Sequence, residues 1–340
     1  MKVKKVTKRL SFVLTAALAV LSLSVSAFSG IISPVFAALS DVGANKKYYT
    51  SYASPEELFE ASAELNLELA REGFVLMKND GALPLAASER KVTVLGSYAD
   101  RLFYGGGGSG GQFNPGPIPE DEAFNVPMYS AKTLYDALDA ADIKYNPMVK
   151  SVYEYVNPQG ITGGSGAGLG GSSGLEAGPY MKKLDAPTTG SVEFAGADYL
   201  PTTDGVLNGA EKNYSSYDDA AIVVISRSGA EGSDNQTNGM DYDDGTDNYV
   251  NDPTVHYLEL QEYEKQLLAY AKAHFSKIVV LLNTPSAMEL GDIENDPAFN
   301  AMLWMGQPGY NGVMAVGDIL TGKVNPSGRL VDFYMSDFTT

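Results

Sequence analysis

One short stretch of this 340-residue chain has the make-up that acid–base chemistry on a polar ligand requires: Ser226-Arg227-Ser228-Gly229-Ala230-Glu231-Gly232-Ser233-Asp234. Its glutamate sits among small residues, soon after the apolar run Ala220–Ser226. Glycines on both sides let the main chain approach a ligand without a bulky neighbour. A carboxyl group held there acts as a proton donor if partial desolvation raises its pKa. Taken by itself, Glu231 reads more readily as a solvated loop acid.

Other chemistries fit their templates poorly. Gly105–Gly111 (GGGGSGG) has the glycine density of a phosphate loop, but Ser97–Tyr104 separates it from the strand pattern before it. No helix pattern follows before Pro115 and no Walker lysine is present. Asp241, Asp243, Asp244, Asp247 and Asp252 crowd one segment, yet Gly245 comes one position early for a calcium loop and no glutamate closes it. His256 and His274 are too far apart for a helical metal pair. The chain has no cysteine, which removes disulfide and thiol chemistry. Neither a metal nor a cofactor is expected.

The elements that must position Glu231 follow from apolar patterning. Ser54-Pro55-Glu56-Glu57 opens a helix as N-cap, first-turn proline and capping-box glutamate, with Leu58, Ala61, Leu65 and Leu69 recurring after it. Phe74–Met77 is a short apolar run, Lys91–Gly96 a strand and Ser130–Asp142 a helix. Gly160–Gly178 is nearly all Gly, Ser and Ala, a long loop or flexible insertion. Beyond it the patterns predict a strand at Ala220–Ser226, a polar loop to about Pro253, and a helix over Val255–Phe275. A strand at Lys277–Asn283, an apolar run at Ala301–Met305 and a helix over Gly309–Thr321 complete the series. Non-alternating apolar strands separated by helices predict an α/β fold, doubly wound, with a mainly parallel sheet sandwiched by helices. Ligands bind such sheets at the carboxyl ends of the strands, here the loops after Gly96, Ser226 and Asn283.

Five segments occur in an informative order: Glu68–Leu85 (ELAREGFVLMKNDGALPL), Lys91–Asp100, Ala220–Asp234, Lys277–Leu290 and Gly322–Tyr334 (GKVNPSGRLVDFY). Together they resemble the α/β sandwich domain of glycoside hydrolase family 3, over most of residues 55–334. The resemblance implies that Glu231 is the general acid/base of a retaining, β-glucosidase-like exo-glycosidase. Asp234 matches the aspartate of that motif, while Asn235 stands where an arginine is usual. Arg227, Tyr104 and the glycine-rich loop with Gly107 and Ser109 are implied sugar contacts, though that loop reads as readily as a mere flexible connection. Rings that would stack on a sugar's apolar face are Tyr98, Phe103, Tyr104, Tyr242, Tyr249 and Trp304, and Glu289 is a hydroxyl ligand or a helix-start acid.

Retaining glycosidases need a second carboxylate about 5–5.5 Å from the first. In the family that nucleophile lies on a TIM barrel, and a barrel takes roughly 250 residues of alternating strand and helix. The sandwich accounts for 55–336, with 337–340 as a truncated end, so the chain reads as a truncated enzyme, a split enzyme whose barrel is a separately encoded partner, or a fragmentary sequence; alone it is expected to be weakly active or inactive. A non-catalytic carbohydrate-binding module, or an inactive fragment, is the alternative. A nucleotide-binding domain is a third reading.

Residues 1–37 carry Lys2, Lys4, Lys5, Lys8 and Arg9 ahead of an uncharged apolar stretch, a secretory leader or an uncleaved anchor, followed by a linker over 38–54. A secreted or cell-surface protein is expected, touching membrane only through that leader. The formal charge of −18 is borne by 42 acidic and 24 basic residues, five of the latter in the leader. Such a surface disfavours nucleic acid and suits a neutral, hydroxyl-rich oligosaccharide or β-glucoside.

Overall fold

A computed structural model describes residues 51–96, 98–99, 102–105, 131–156, 213–227, 238–242 and 249–338. All of its elements lie within one unit, Ser54–Thr340. The first is helix α1 (Pro55–Gly73), whose N-cap Ser54 accepts a 3.3 Å hydrogen bond from Glu57 N. Strands β1 (Val75–Asn79) and β2 (Lys91–Leu95) follow, then helix α2 (Leu134–Ala140), β3 (Lys144–Tyr145) and α3 (Pro147–Val156). The second half holds β4 (Ala220–Ser226), β5 (Asn238–Tyr242), β6 (Tyr249–His256), α4 (Glu262–His274), β7 (Ile278–Asn283), α5 (Gly291–Glu294) and β8 (Ala301–Trp304). Helices α6 (Gly309–Gly312) and α7 (Met314–Leu320) come last.

Six strands form one sheet in the order β1-β8-β7-β4-β2-β3. All neighbours are parallel except the edge strand β1, which runs antiparallel to β8. The central strands β4 and β7 are buried along their whole length because helices cover both faces. Alternate residues enter two separate cores. Val92, Val94, Ile222, Val224, Val279 and Leu281 pack with residues of α1, α2 and α7. Ala221, Val223, Ile225, Ile278, Val280 and Leu282 face the other way, toward α3 and α4. On the first face α2 and α7 meet closely: a β-carbon at Gly317 would lie 2.3 Å from Ala137 O, so only glycine fits.

The predicted doubly wound α/β class is the one observed, with several local differences. Ser130–Asp142 is helical only over Leu134–Ala140, where Thr133 and Asp136 cap it reciprocally. The polar loop expected up to Pro253 contains an antiparallel hairpin of β5 and β6, and the helix expected from Val255 begins only at Glu262. Val255 and His256 are the end of β6, where strand pairing overrides the helical spacing of their apolar neighbours. Gly309–Thr321 is two helices divided at Val313. Gly160–Gly178 lies outside the described residues.

Candidate active site

The direction of winding reverses between β2 and β4. From β2 the chain crosses outward to β3, whereas from β4 it proceeds the other way through β7 to β8. The connecting helices accordingly cover opposite faces: Leu134 and Leu138 of α2 join the first core, Leu267 and Leu268 of α4 the second. The chain thus departs from β2 and β4 toward opposite faces, and sheets of this class bind ligands in the crevice at such a switch point. One side of it begins at Gly96, the other at Arg227. Gly96 has φ +117°, and a β-carbon there would meet Val224 O at 2.5 Å, so the exit from β2 is pressed against β4.

A single amide ties this edge together. Asn283, the last residue of β7, accepts hydrogen bonds through Oδ1 from Phe103 N (2.7 Å) and Ser226 Oγ (3.1 Å). Its Nδ2 donates to Phe103 O (2.9 Å) and Gly306 O (2.6 Å). The segments after β2 and β8 and the last residue of β4 thus converge on one fully buried side chain. Arg227 N donates to Asn283 O at 3.0 Å, which extends the β4–β7 ladder one residue into the loop that leads to Glu231.

Arg227, implied above as a sugar contact, carries its side chain inward. Its side chain is 2 % exposed and its guanidinium turns into the protein, where it meets the 0 % exposed carboxylate of Glu264. Nε donates to Oε1 at 2.9 Å and Nη2 to Oε2 at 2.5 Å. Nη1 donates to Tyr257 O and Nη2 to Glu259 O, each at 2.7 Å. Burial pushes the Tyr257 phenol up; the nearby guanidinium opposes this and the Glu264 carboxylate adds to it.

Tyr104, the other implied sugar contact among the described residues, also faces inward. It is 4 % exposed and packed in the first core, and its carbonyl accepts from Gly309 N at 2.8 Å. Tyr98 is equally buried against Phe103, with ring centres 5.2 Å apart. Trp304 is half-buried at the carboxyl end of β8, its indole donating to Thr284 O at 3.0 Å. Tyr334 donates to Ser286 O at 3.3 Å beside it, its phenol pushed up to about 12 chiefly by burial. Tyr242 and Tyr249 are Cα partners in the hairpin. Glu289 accepts from Phe338 N at 3.3 Å. Burial, with Glu259, Asp337 and Asp292 adding repulsion, raises its pKa against that hydrogen bond. His274 packs on the Tyr270 ring, and His256 Nδ1 accepts from Leu258 N. Among the described residues no group of three acidic or histidine side chains is arranged to hold a metal. Glu231, Asp234, Gly107 and Ser109 lie outside the described residues.

Three residues at this edge escape sequence reasoning. Asn283 was legible only as a polar end to an apolar strand. Glu264 stands three residues after Gln261 and accepts from Gln261 N at 2.8 Å, so its capping pattern was available, though its arginine partner was not. Gln307 carried no signal; its Nε2 is buried beside Gly306 without a hydrogen-bond partner.

Residues 74–337 match the model of the Glycosyl hydrolase family 3 C-terminal domain. Beta-glucosidase A of Butyrivibrio fibrisolvens is 30% identical over 283 residues, covering 80% of this chain and 28% of its own length. A beta-glucosidase of Ruminococcus albus is 27% identical over 285 residues, covering 83% of this chain and 23% of its own length. A solved beta-glucosidase from Paenibacillus barengoltzii superposes with a TM-score of 0.54 at 26% identity, over 78% of this chain and 23% of that one. Beta-glucosidase 3B of Thermotoga neapolitana, solved with glucose, shares the fold at TM-score 0.53 and 20% identity, over 83% of this chain and 32% of its own. The chain thus spans about a quarter of the length of these curated relatives. A sheet wound from a β2/β4 switch point, matched along nearly all of its described length, makes this chain a member of glycoside hydrolase family 3 through that family's C-terminal domain.

Proposed function

We propose that this chain supplies the acid/base half of a retaining, β-glucosidase-like exo-glycosidase, with Glu231 as the proton donor. The observation that carries the reading is the switch point between β2 and β4, from which the glutamate-bearing loop and the glycine-rich loop both depart. In the first step Glu231 protonates the glycosidic oxygen as its bond to the anomeric carbon breaks, while a second carboxylate attacks that carbon. In the second, ionised Glu231 takes a proton from the water that cleaves the glycosyl ester. The nucleophile comes from a TIM barrel, the part of the architecture that the sandwich does not contain. Export through residues 1–37 brings the domain to extracellular oligosaccharides or β-glucosides.

The test is hydrolysis by the full chain supplied with a family 3 barrel. Glu231→Gln should slow cleavage of methyl β-glucoside, a poor leaving group, by roughly 10²–10⁴-fold, the usual worth of a general acid. Cleavage of 2,4-dinitrophenyl β-glucoside should depend on added azide for release of the glycosyl ester. Equal turnover of methyl β-glucoside by both proteins sinks the assignment and leaves a non-catalytic carbohydrate-binding module.

A further inference from the structure

From the end of β4 to the start of α4 the chain makes one long excursion, and both of its ends meet at the Arg227 guanidinium. The arginine is the first residue of that excursion. Tyr257 and Glu259, whose carbonyls it binds, lie on the return limb, and Glu264 stands in the first turn of α4. The same carboxylate caps α4 through Gln261 N, and the guanidinium carbon lies 5.5 Å from the centre of the Tyr257 ring.

Stability alone does not call for such a pair, since well-packed apolar residues in place of a buried ion pair are often as stable or more so. What a planar, bidentate fork adds is a single permitted geometry. Its location makes that geometry consequential. Glu231 is four residues beyond Arg227, a length of chain that spans at most about 14 Å. Holding Arg227 by its main chain on Asn283 and by its side chain on the return limb bounds where the carboxyl group of Glu231 can be.

Resting on the reading of Glu231 as the proton donor, we propose that Arg227 and Glu264 are a positioning pair for that proton transfer: they clasp the start of the excursion to its return limb and fix the residue after which the Glu231-bearing segment begins. Neither touches the reacting atoms.

Single substitutions strand a buried charge, so the decisive variant is the apolar pair Arg227→Met/Glu264→Leu in the full chain. Hydrogen exchange by peptide mass spectrometry should show amides of 228–237 and of Tyr257–Leu260 exchanging at least ~10-fold faster, with β7 amides unchanged within roughly 2-fold. Unaltered exchange in those two limbs overturns the clasp. In the barrel-supplied assay, kcat/KM for methyl β-glucoside should fall by on the order of 10²-fold, the effect of a misplaced catalytic group. That for 2,4-dinitrophenyl β-glucoside, whose departure needs no proton, should change less than about 3-fold. Equal losses on both substrates, or none, overturn a positioning role. A wild-type protein without hydrolysis refutes the assignment of Glu231 instead, and the exchange experiment then decides the clasp by itself.

Discussion

Phe103 and Asn283, 180 residues apart in the chain, are joined twice: Phe103 N donates to the Asn283 side-chain oxygen and Phe103 O accepts from the Asn283 side-chain nitrogen. One carboxamide therefore acts as a length of strand, pairing with the segment after β2 as a neighbouring main chain would. With Ser226 and Gly306 as its other partners, it holds the carboxyl edge of the sheet at four points.

Asn283→Ala removes those four hydrogen bonds and leaves buried main-chain groups without partners. At about 1 kcal/mol net for each bond, the variant should lose roughly 4 kcal/mol, with further loss from the stranded polar groups. Urea denaturation of the two proteins measures the difference, and a change below about 1 kcal/mol contradicts the bridging role.

Glu264→Leu alone leaves the Arg227 charge buried and unpaired, which typically costs about 3–5 kcal/mol. The Arg227→Met/Glu264→Leu protein removes both charges and should recover most of that loss. Denaturation of the singles and the double, arranged as a double-mutant cycle, should give a coupling well above the roughly 0.5 kcal/mol seen between independent sites.

Glu289 makes stability depend on pH in a definite direction. Burial raises its pKa above the ordinary 4.5, with Glu259, Asp337 and Asp292 adding to the shift, so the folded protein holds this proton more tightly than the unfolded chain. The resulting stabilisation is complete below about the unfolded value and is lost as pH rises through the folded one. Glu289→Gln keeps an acceptor for Phe338 N but cannot ionise. Its melting temperature should match the wild type near pH 4 and exceed it at pH 7; an equal or lower value at pH 7 reverses the assignment.

Gly317→Ala drives a methyl group against Ala137 O, which only a shift of α2 from α7 relieves. Overpacking of this kind costs about 1–3 kcal/mol. Alanine elsewhere in helices favours folding, so a stabilised variant in thermal denaturation contradicts the tight helix crossing.

The strands of the central sheet were legible because burial on both faces demands unbroken apolar runs, as in Ala220–Ser226 and Ile278–Asn283. The hairpin was not, because Asn238–Tyr242 and Tyr249–His256 mix polar residues and Pro253 with few apolar ones, and their pairing is with each other. The antiparallel sense of β1 was equally hidden: Val75–Asn79 has the composition of any buried strand, and its direction is set by β8, more than 200 residues away. At the site, Glu231 stood out by its glycines and its distance from a strand end. The commitment of Arg227 to Glu264 did not, since a helix-start glutamate 37 residues on has an ordinary solvent-facing explanation.

Asn283 grips Phe103 and Gly306 through their peptide groups alone, indifferent to what side chains those positions carry. The edge of the sheet therefore behaves as a socket with fixed pins. Loops after β2 and β8 can change their residues while each new version plugs into the same three-way junction in the same orientation.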